Sequence, residues 1–221
     1  VFLRRNFKAG DEAVRDGALK AMARLADRAL HVPTEAELLG IEGEAAARYF
    51  RLFDTMLGET ARGFPAFAFD KRTRRPPADP VNAMLSFAYA LLTRTWHTVL
   101  SGVGFDPYLG FYHKPRFGRA ALALDMMEPF RPILADSTVI QVINNGEVKP
   151  DGFYAAGPAV NLKPVAKRAF IAAYERRLDQ EVTHPVFGYR VAMRRLLEVQ
   201  ARLLGRHLAG DIDAYPHYLV R

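Results

Sequence analysis

One histidine and three acidic residues could together bind a divalent metal ion. His113 lies in a glycine-containing segment, residues 110–115, and Asp125 and Glu128 follow it by 12 and 15 positions. Residues three apart on a helix point to the same side, so these two acids can face one ligand. A third acid, Glu42, lies far upstream, and folding could bring it to the same place. Imidazole and carboxylate ligands suit Mn²⁺ or Mg²⁺, ions that support chemistry on phosphate esters.

Each of these residues also has an ordinary structural explanation. Glu42 lies near a predicted helix start, where the helix dipole favours a carboxylate. His113 could cap a neighbouring helix, and the two later acids could pair with Arg119 and Arg131 on a solvated face. Taken one at a time, the residues therefore do not establish a metal site.

The composition excludes some kinds of site and location. The chain has 221 residues, of which 50% are hydrophobic, enough for a packed core. The absence of cysteine excludes disulfides and thiolate metal ligands. The longest nearly apolar run, residues 81–92, is too short to cross a bilayer, and the chain does not open with a signal-peptide pattern. We therefore predict a cytoplasmic protein without a membrane partner.

The charge balance favours a negatively charged partner. Lysine and arginine number 31 against 24 acidic residues, which gives a net charge of +7. Nucleic acid is the commonest partner of this kind, although a soluble protein can also be basic without binding any.

Residues 58–79 are predicted to form a basic flexible loop. Its candidate DNA-binding residues are Arg72, Arg74 and Arg75. Three phenylalanines precede them: Phe64, Phe67 and Phe69. These rings could stack on unpaired bases while the charges follow the phosphates, or they could anchor the loop to the core.

A second basic segment lies on the predicted last helix, residues 186–209. Four arginines on it are spaced at or near multiples of four: Arg190, Arg194, Arg202 and Arg206. Such a stripe is typical of a solvated face, but together with the net charge it predicts contact with DNA phosphates.

The pattern of apolar residues predicts a mainly α-helical chain. The predicted helices span residues 11–30, 41–57, 80–100, 119–134, 164–181 and 186–209. Thr34 and Asp79 are start signals, and Pro129 and Pro132 should bend or shorten the fourth helix. Only residues 138–164 break the pattern, and Val139–Ile143 could be a short strand or the end of a helix. We predict one α-helical domain over residues 1–221 with a short irregular or hairpin insertion.

Several motifs, taken in order along the chain, resemble a known family. They are Ile41-Glu42-Gly43, Arg74-Arg75-Pro76-Pro77, Asp79-Pro80-Val81-Asn82-Ala83, Gly110-Phe111 with His113, and Leu124-Asp125 with Glu128 and Phe130-Arg131-Pro132. Together they resemble the catalytic domain of the CRISPR-associated integrase/endonuclease that inserts new spacers into CRISPR arrays. The motifs cover about residues 38–136, and the helical tail is compatible with the same family.

The resemblance implies a domain organisation and partners. Family members have an N-terminal β-rich domain that forms the homodimer, and the motifs of this chain match only the α-helical catalytic domain that follows it. The family also implies a small CRISPR-associated partner dimer and DNA substrates, the prespacer and the CRISPR repeat. A fused or associated nuclease or reverse transcriptase module is a further expectation.

The resemblance also implies the site and its reaction. The family's metal ligands fall on Glu42, His113 and Glu128, while Asp125 would bind the metal or orient a ligand. The implied activity is Mn²⁺- or Mg²⁺-dependent, with a DNA 3′-hydroxyl attacking a phosphodiester in strand transfer or water attacking it in hydrolysis. The alternative is a non-catalytic helical domain that binds DNA or serves as a scaffold through its basic residues.

Overall fold

The computed structural model describes residues 1–184 and 187–219 and shows a mainly helical protein. The predicted fold class, mainly α with a hairpin insertion, is confirmed. The chain divides into two compact units. Unit 1 comprises Val1–Ala83 and Ile140–Lys163, and unit 2 comprises Met84–Val139 and Pro164–Arg221. A single domain over residues 1–221 stays a prediction, since compact units are not by themselves separate domains.

The helices follow one another along the chain with short connections. They are α1 (Phe2–Asn6), α2 (Glu12–Ala29), α3 (Glu35–Arg51), α4 (Glu59–Arg62), α5 (Pro80–Val103), α6 (Ala121–Met127), α7 (Ser137–Asn144), α8 (Pro164–Asp179) and α9 (Met193–Leu208). Single 3₁₀ turns occur at Asp54–Met56, Pro65–Phe67, Glu128–Phe130 and Pro150–Gly152.

Side-chain caps explain where two of these helices begin. The Asp11 carboxylate accepts a hydrogen bond from the Ala13 N–H (2.7 Å), which starts α2 close to its predicted position. Thr34 Oγ1 accepts from the Glu37 N–H (3.3 Å) and donates to the Glu37 carboxylate (3.1 Å). This reciprocal cap starts α3 at Glu35, so the predicted start at residue 41 and end at residue 57 were both too late.

Two prolines break the predicted fourth helix. Pro129 and Pro132 have no N–H to donate, and a proline ring collides with the carbonyl four residues earlier. After Met127 the chain therefore forms the 3₁₀ turn Glu128–Phe130 and then a π-helical turn, Arg131–Asp136. Residues 139–143 then lie in α7, so the helical alternative for this segment is confirmed.

Two antiparallel hairpins complete the fold. In unit 1, β1 (Phe153–Ala156) pairs with β2 (Ala159–Leu162), inside the region where an insertion was predicted. In unit 2, β3 (Glu181–Thr183) pairs with β4 (Arg190–Ala192), which the sequence did not predict. The predicted start of the last helix at residue 186 lies outside the described residues, and the helix itself begins only at Met193. Arg190 is therefore a strand residue, because pairing with Thr183 holds it in an extended conformation.

Each unit has its own core, and that of unit 2 supports the turn that carries Glu128. Trp96 of α5 and Phe130 are buried, and their ring centroids lie 5.3 Å apart. Because Phe130 follows Glu128 by two residues, this contact holds the position of the turn. In unit 1 the buried residues include Phe53, Met56 and Phe67. No helix within residues 1–184 and 187–219 is long and apolar enough to cross a membrane.

Candidate metal centre

The loop that carries His113, residues 104–120, folds back over the start of α6. We call it the His113 loop. Its Pro107 carbonyl accepts hydrogen bonds from the Leu122 N–H (2.9 Å) and the Ala123 N–H (3.3 Å). The first N–H groups of a helix have no partner within the helix, so the loop supplies the cap that α6 lacks. Loop and helix are thereby held together as one local structure.

Gly110 permits a close approach between the His113 loop and α6. A Cβ atom at this position would lie 2.7 Å from Ala121 Cβ and 2.8 Å from both the Ala121 carbonyl carbon and Asp125 Oδ2. Real Cβ atoms do not approach this closely, and one of these neighbours is backbone that cannot turn away. A glycine is therefore required where the loop crosses the helix.

The Asp125 carboxylate is buried and uses its full accepting capacity. Oδ2 accepts from the N–H groups of Phe111 (2.8 Å) and Tyr112 (3.1 Å). Oδ1 accepts from the His113 N–H (2.8 Å) and lies 2.7 Å from His113 Nδ1. A carboxylate has about four lone-pair positions, and all are occupied here by the loop. The side chain is 1% exposed, so this acid organises the loop and has no oxygen left for a metal ion.

The contact with Asp125 determines which ring nitrogen of His113 is available to bind a metal ion. An ionised carboxylate can only accept, so Nδ1 carries the proton that points at Asp125, and Nε2 is the nitrogen that faces away from it. Nε2 lies 4.0 Å from Glu128 Oε1, while Arg131 donates to Glu128 Oε2 at 2.9 Å. Histidine ligands in metalloproteins usually hold their other nitrogen on a carboxylate in this way. The structure brings His113, Asp125 and Glu128 together, and their role as a metal site stays a prediction.

Glu42 lies on α3 in unit 1, whereas the other three residues lie in unit 2. Its convergence with them stays a prediction. The structure does remove one ordinary explanation, because Glu42 is about two turns inside α3 and the helix dipole acts mainly on the first turn. Its side chain is exposed on a helix whose neighbouring acid, Glu44, is already paired with Arg48 at 2.8 Å.

The donor set fits a hard divalent ion. Across residues 1–184 and 187–219, no group of three or more histidine and acidic side chains is already arranged to hold a metal ion. Unit 2 offers two donors, His113 Nε2 and Glu128 Oε1, at a separation of 4.0 Å. With metal–ligand bonds of about 2.1 Å, two donors at this distance can still share one ion. Imidazole and carboxylate suit Mn²⁺ or Mg²⁺, with Glu42 as the predicted third ligand.

The basic segment of residues 58–79 has more local structure than predicted. Phe67 and Phe69 are buried, so for these two rings the anchoring alternative holds, whereas Phe64 is 46% exposed. Arg72 donates to Asn82 Oδ1 (2.9 Å) and to the Thr73 carbonyl, which ties it to the start of α5. Asn82 also donates to the Lys71 carbonyl (2.9 Å). Flexibility of the segment stays a prediction. Of its three candidate DNA-binding arginines, Arg74 and Arg75 are exposed.

A basic cavity that the sequence did not predict lies beside this segment. It has a volume of about 500 Å³, and its cationic lining is Arg51, Lys71, Arg72 and Arg74. Ala46, also in the lining, is one helical turn from Glu42 on the same face of α3. Arg72 and Arg74 were already candidate DNA-binding residues, but no signal in the sequence placed Arg51 of α3 beside them.

The four arginines of the predicted stripe are all paired with acids. The pairs are Arg190 with Glu181 (2.8 Å), Arg194 with Glu175 (2.6 Å) and Asp179 (3.1 Å), Arg202 with Glu198 (2.8 Å), and Arg206 with Asp211 (3.6 Å). Hydrogen bonds from Arg202 and Arg195 lower the pKa of Glu198, which keeps this partner ionised. The face is therefore nearly neutral, and DNA contact by these arginines stays a prediction.

Comparison with known proteins agrees with this fold. A family model described as CRISPR associated protein Cas1 matches residues 1–176. The chain is 61% identical, over its whole length, to a CRISPR-associated exonuclease Cas4/endonuclease Cas1 fusion of Rhodospirillum rubrum. It is similar in structure to a CAS1 protein from Thermotoga maritima (TM-score 0.76, 26% identity), covering 98% of this chain and 66% of that one.

The fold and the site define the class of protein: a helical domain in which a histidine is paired with carboxylates. The chain belongs to the Cas1 family, and the resemblance seen in the sequence is confirmed. It is also similar to a chain of a Cas6-RT-Cas1–Cas2 complex (TM-score 0.77, 28% identity), covering 92% of this chain and 22% of that one. The chain spans 38% of the length of the Rhodospirillum relative.

Proposed function

We propose that this chain is the catalytic part of a metal-dependent DNA integrase and endonuclease. The observation that carries the proposal is the contact of His113 Nδ1 with Asp125 Oδ1 at 2.7 Å, which leaves Nε2 free to face Glu128. Membership of the Cas1 family supports the same conclusion, because relatives are named as CRISPR-associated endonucleases. The proposed substrate is a DNA phosphodiester, and the proposed ion is Mn²⁺ or Mg²⁺.

The residues of the site have distinct roles in this proposal. His113 Nε2, Glu128 Oε1 and Glu42 would hold the ion, while Asp125 accepts from His113 Nδ1 and so fixes which ring nitrogen faces the ion. Arg131 holds the other oxygen of Glu128 and so limits its rotation. When bound, the ion supplies Lewis acidity that polarises a phosphodiester and lowers the pKa of an attacking hydroxyl.

The same site can serve two reactions, which differ only in the attacking oxygen. A DNA 3′-hydroxyl forms a new P–O bond as the original 3′-oxygen leaves, so the number of phosphodiester bonds does not change. Water forms a P–O bond in the same way but leaves a hydrolysed end. We propose that the first reaction inserts short DNA fragments into a CRISPR array.

The proposed partners follow from the relatives. One curated relative is a fusion of a Cas4 exonuclease with a Cas1 endonuclease, and one solved relative is part of a Cas6-RT-Cas1–Cas2 complex. We propose that this chain also acts as a homodimer with a small CRISPR-associated partner and with a fused or associated nuclease or reverse transcriptase. A non-catalytic scaffold is the competing function. It receives less support from the structure, because the arginines that would carry it are paired with acids.

Removal of divalent metal distinguishes the proposed enzyme from the competing non-catalytic scaffold. With EDTA, we expect cleavage and strand transfer by the full-length protein to fall to background, while its affinity for the same DNA stays within about threefold, since phosphate contacts come from basic side chains. Added Mn²⁺ should restore activity. Cleavage that continues in EDTA would contradict the proposal, and an affinity that collapses with it would favour a scaffold whose metal serves only binding.

The two basic segments should differ in their contribution to DNA binding. Replacing Arg74 and Arg75 with glutamine should flatten the log–log dependence of affinity on salt by about 2 units, because each neutralised phosphate contributes about 0.9. Replacing Arg194 and Arg202 in the same way should change the slope by less than about 1 unit. These two must first leave their carboxylates, although surface ion pairs are weak. Equal changes in the salt slope for the two pairs of substitutions would show that ion pairing does not keep Arg194 and Arg202 from contacting DNA.

A further inference from the structure

One face of helix α5 supports the turn that carries Glu128. Three residues of this face, spaced four and three apart, each contact a different residue close to Glu128 in the chain. The contacts are the Tyr89 ring with the Arg131 guanidinium (4.7 Å to the ring centroid), Thr93 Oγ1 with Met127 Sδ (3.1 Å), and Trp96 with Phe130 (5.3 Å between ring centroids). They lie on both sides of Glu128 in the sequence, so the helix holds the turn before and after this residue.

Tyr89 differs from the other two because it contacts the residue that holds the Glu128 side chain. Arg131 Nη1 donates to Glu128 Oε2 at 2.9 Å, and the Arg131 guanidinium lies over the Tyr89 ring. A cation within about 6 Å of a ring centroid is attracted by the negative face of the ring. With Oε2 bound to Arg131, it is Oε1 that lies 4.0 Å from His113 Nε2. The ring therefore restrains Arg131, and Arg131 restrains the rotation of Glu128.

A buried carboxylate fixes the orientation of the Tyr89 ring. The Tyr89 hydroxyl donates to Asp136 Oδ1 at 2.7 Å, and Asp136 is 1% exposed. Asp136 ends the π-helical turn that begins at Arg131, so the two ends of this turn contact the hydroxyl and the face of the same ring. π-Helical turns are rare and occur frequently at functional sites. The turn and the ring thus form one unit next to the candidate metal centre.

The ion pair that Tyr89 supports is only partly accessible to water. The Arg131 and Glu128 side chains are 24% and 28% exposed, whereas Arg190 of the last segment is 74% exposed. Exposed pairs are weak, because both side chains move freely and water and salt screen their charges. Partial burial reduces both effects, so the orientation of Glu128 persists in the absence of an ion.

We propose that Tyr89 is a positioning residue for the metal centre, whose ring holds Arg131 so that Glu128 presents Oε1 to the ion together with His113 Nε2. This inference rests on the proposed function, because it assumes that Glu128 is a metal ligand. Residues that orient a ligand typically change metal affinity about 10- to 100-fold when they are replaced. The effect of Tyr89 passes through Arg131, which distinguishes it from a residue that only fills space.

Mn²⁺ titration of full-length variants tests the role of the ring. Tyr89→Leu removes the π face and should weaken Mn²⁺ binding about tenfold or more. Tyr89→Phe keeps the π face and loses only the bond to Asp136, so its affinity should stay within about threefold of the wild type. Tyr174→Phe is the matched control, since it removes a buried tyrosine hydroxyl that lies 3.0 Å from Thr95 of the same helix, and it should bind Mn²⁺ as the wild type does. If Tyr89→Leu does not fold, Tyr89→Met takes its place, because a flexible thioether fills the space without a π face.

A double-mutant cycle shows whether the effect passes through Arg131. In an Arg131→Gln background the ring has no guanidinium to hold, so Tyr89→Leu should change Mn²⁺ affinity by less than about twofold. A residue that contributed only packing would cause the same loss in both backgrounds.

NMR of the metal-free protein reports on Arg131 without requiring an ion. A restrained guanidinium gives separate Nη signals, whereas a freely rotating one gives averaged signals. We expect separate signals in the wild type and in Tyr89→Phe, and averaged signals in Tyr89→Leu. The loss of these signals in Arg131→Gln assigns them to this residue.

Three results would overturn the proposal: Mn²⁺ affinity of Tyr89→Leu within about twofold of the wild type, separate Arg131 signals in that variant, or an undiminished loss in the Arg131→Gln background. An equal loss in Tyr174→Phe would also overturn it, because the effect would then follow stability in general. Failure of the proposed function gives a different result. The wild type would then not bind Mn²⁺ at all, and the NMR comparison alone would decide whether Tyr89 holds Arg131.

Discussion

Replacing His113 or Glu42 with alanine is expected to abolish cleavage and strand transfer while DNA affinity stays within about threefold of the wild type. Loss of His113 removes the imidazole that lies against Asp125 and Glu128. Loss of Glu42 removes the predicted third ligand. Changes to residues that only support a ligand already cost about 10- to 100-fold, so loss of a ligand should cost more.

The controls for this experiment come from the same kinds of residue. Glu44→Ala removes another exposed glutamate of α3, and His31→Ala removes an exposed histidine at the end of α2. Neither is predicted to hold the ion, so both variants should keep wild-type activity. Retained activity in His113→Ala would refute the assignment of the whole centre. Retained activity in Glu42→Ala alone would leave the unit 2 residues in place and require a different third ligand.

Asp125→Asn is expected to have the second largest effect. The change keeps the size of the side chain but leaves one accepting oxygen for four donors: the N–H groups of Phe111, Tyr112 and His113, and the His113 Nδ1–H. The NH₂ group of the asparagine would face N–H groups, and because both are donors, no hydrogen bond can form between them. We expect a loss of about 2–4 kcal/mol in the free energy of unfolding, from two or more bonds to a buried charge.

The same substitution should also weaken metal binding. Without its carboxylate partner, His113 loses the contact that selects its tautomer and ring orientation, which should cost about 10- to 100-fold in Mn²⁺ affinity and at least as much in activity. Mn²⁺ titration and NMR detection of the His113 Nδ1–H proton would check this directly. Asp151→Asn, at an exposed turn before β1, is the matched control. Unchanged Mn²⁺ affinity in folded Asp125→Asn would show that the aspartate has only a structural role.

Local sequence determined much of the helical architecture. The cap at Thr34, the Asp79-Pro80 start of α5 and the prolines after Met127 act through backbone groups within a few residues, so their effects can be predicted without the fold. The sequence-based predictions were wrong where contacts between residues distant in the chain determine the structure. Arg190 precedes Arg194 by four residues, a helical spacing, but hydrogen bonding with β3 places residues 190–192 in a strand. The phenylalanines at 67 and 69 come just before a run of basic residues, but the core buries both.

The sequence by itself determined the chemical types in the site and the family to which the chain belongs. The spacing of Asp125 and Glu128 already indicated that the two acids share one side, and the order of the motifs indicated the family. Only the tertiary structure decided how the acids divide their roles. Asp125 faces three backbone N–H groups and one imidazole nitrogen, so it orients His113, whereas Glu128 reaches the opposite nitrogen. The physical reason is that a role depends on which donors a carboxylate meets. Those donors belong to a loop that only the fold, through the close approach at Gly110, brings against α6.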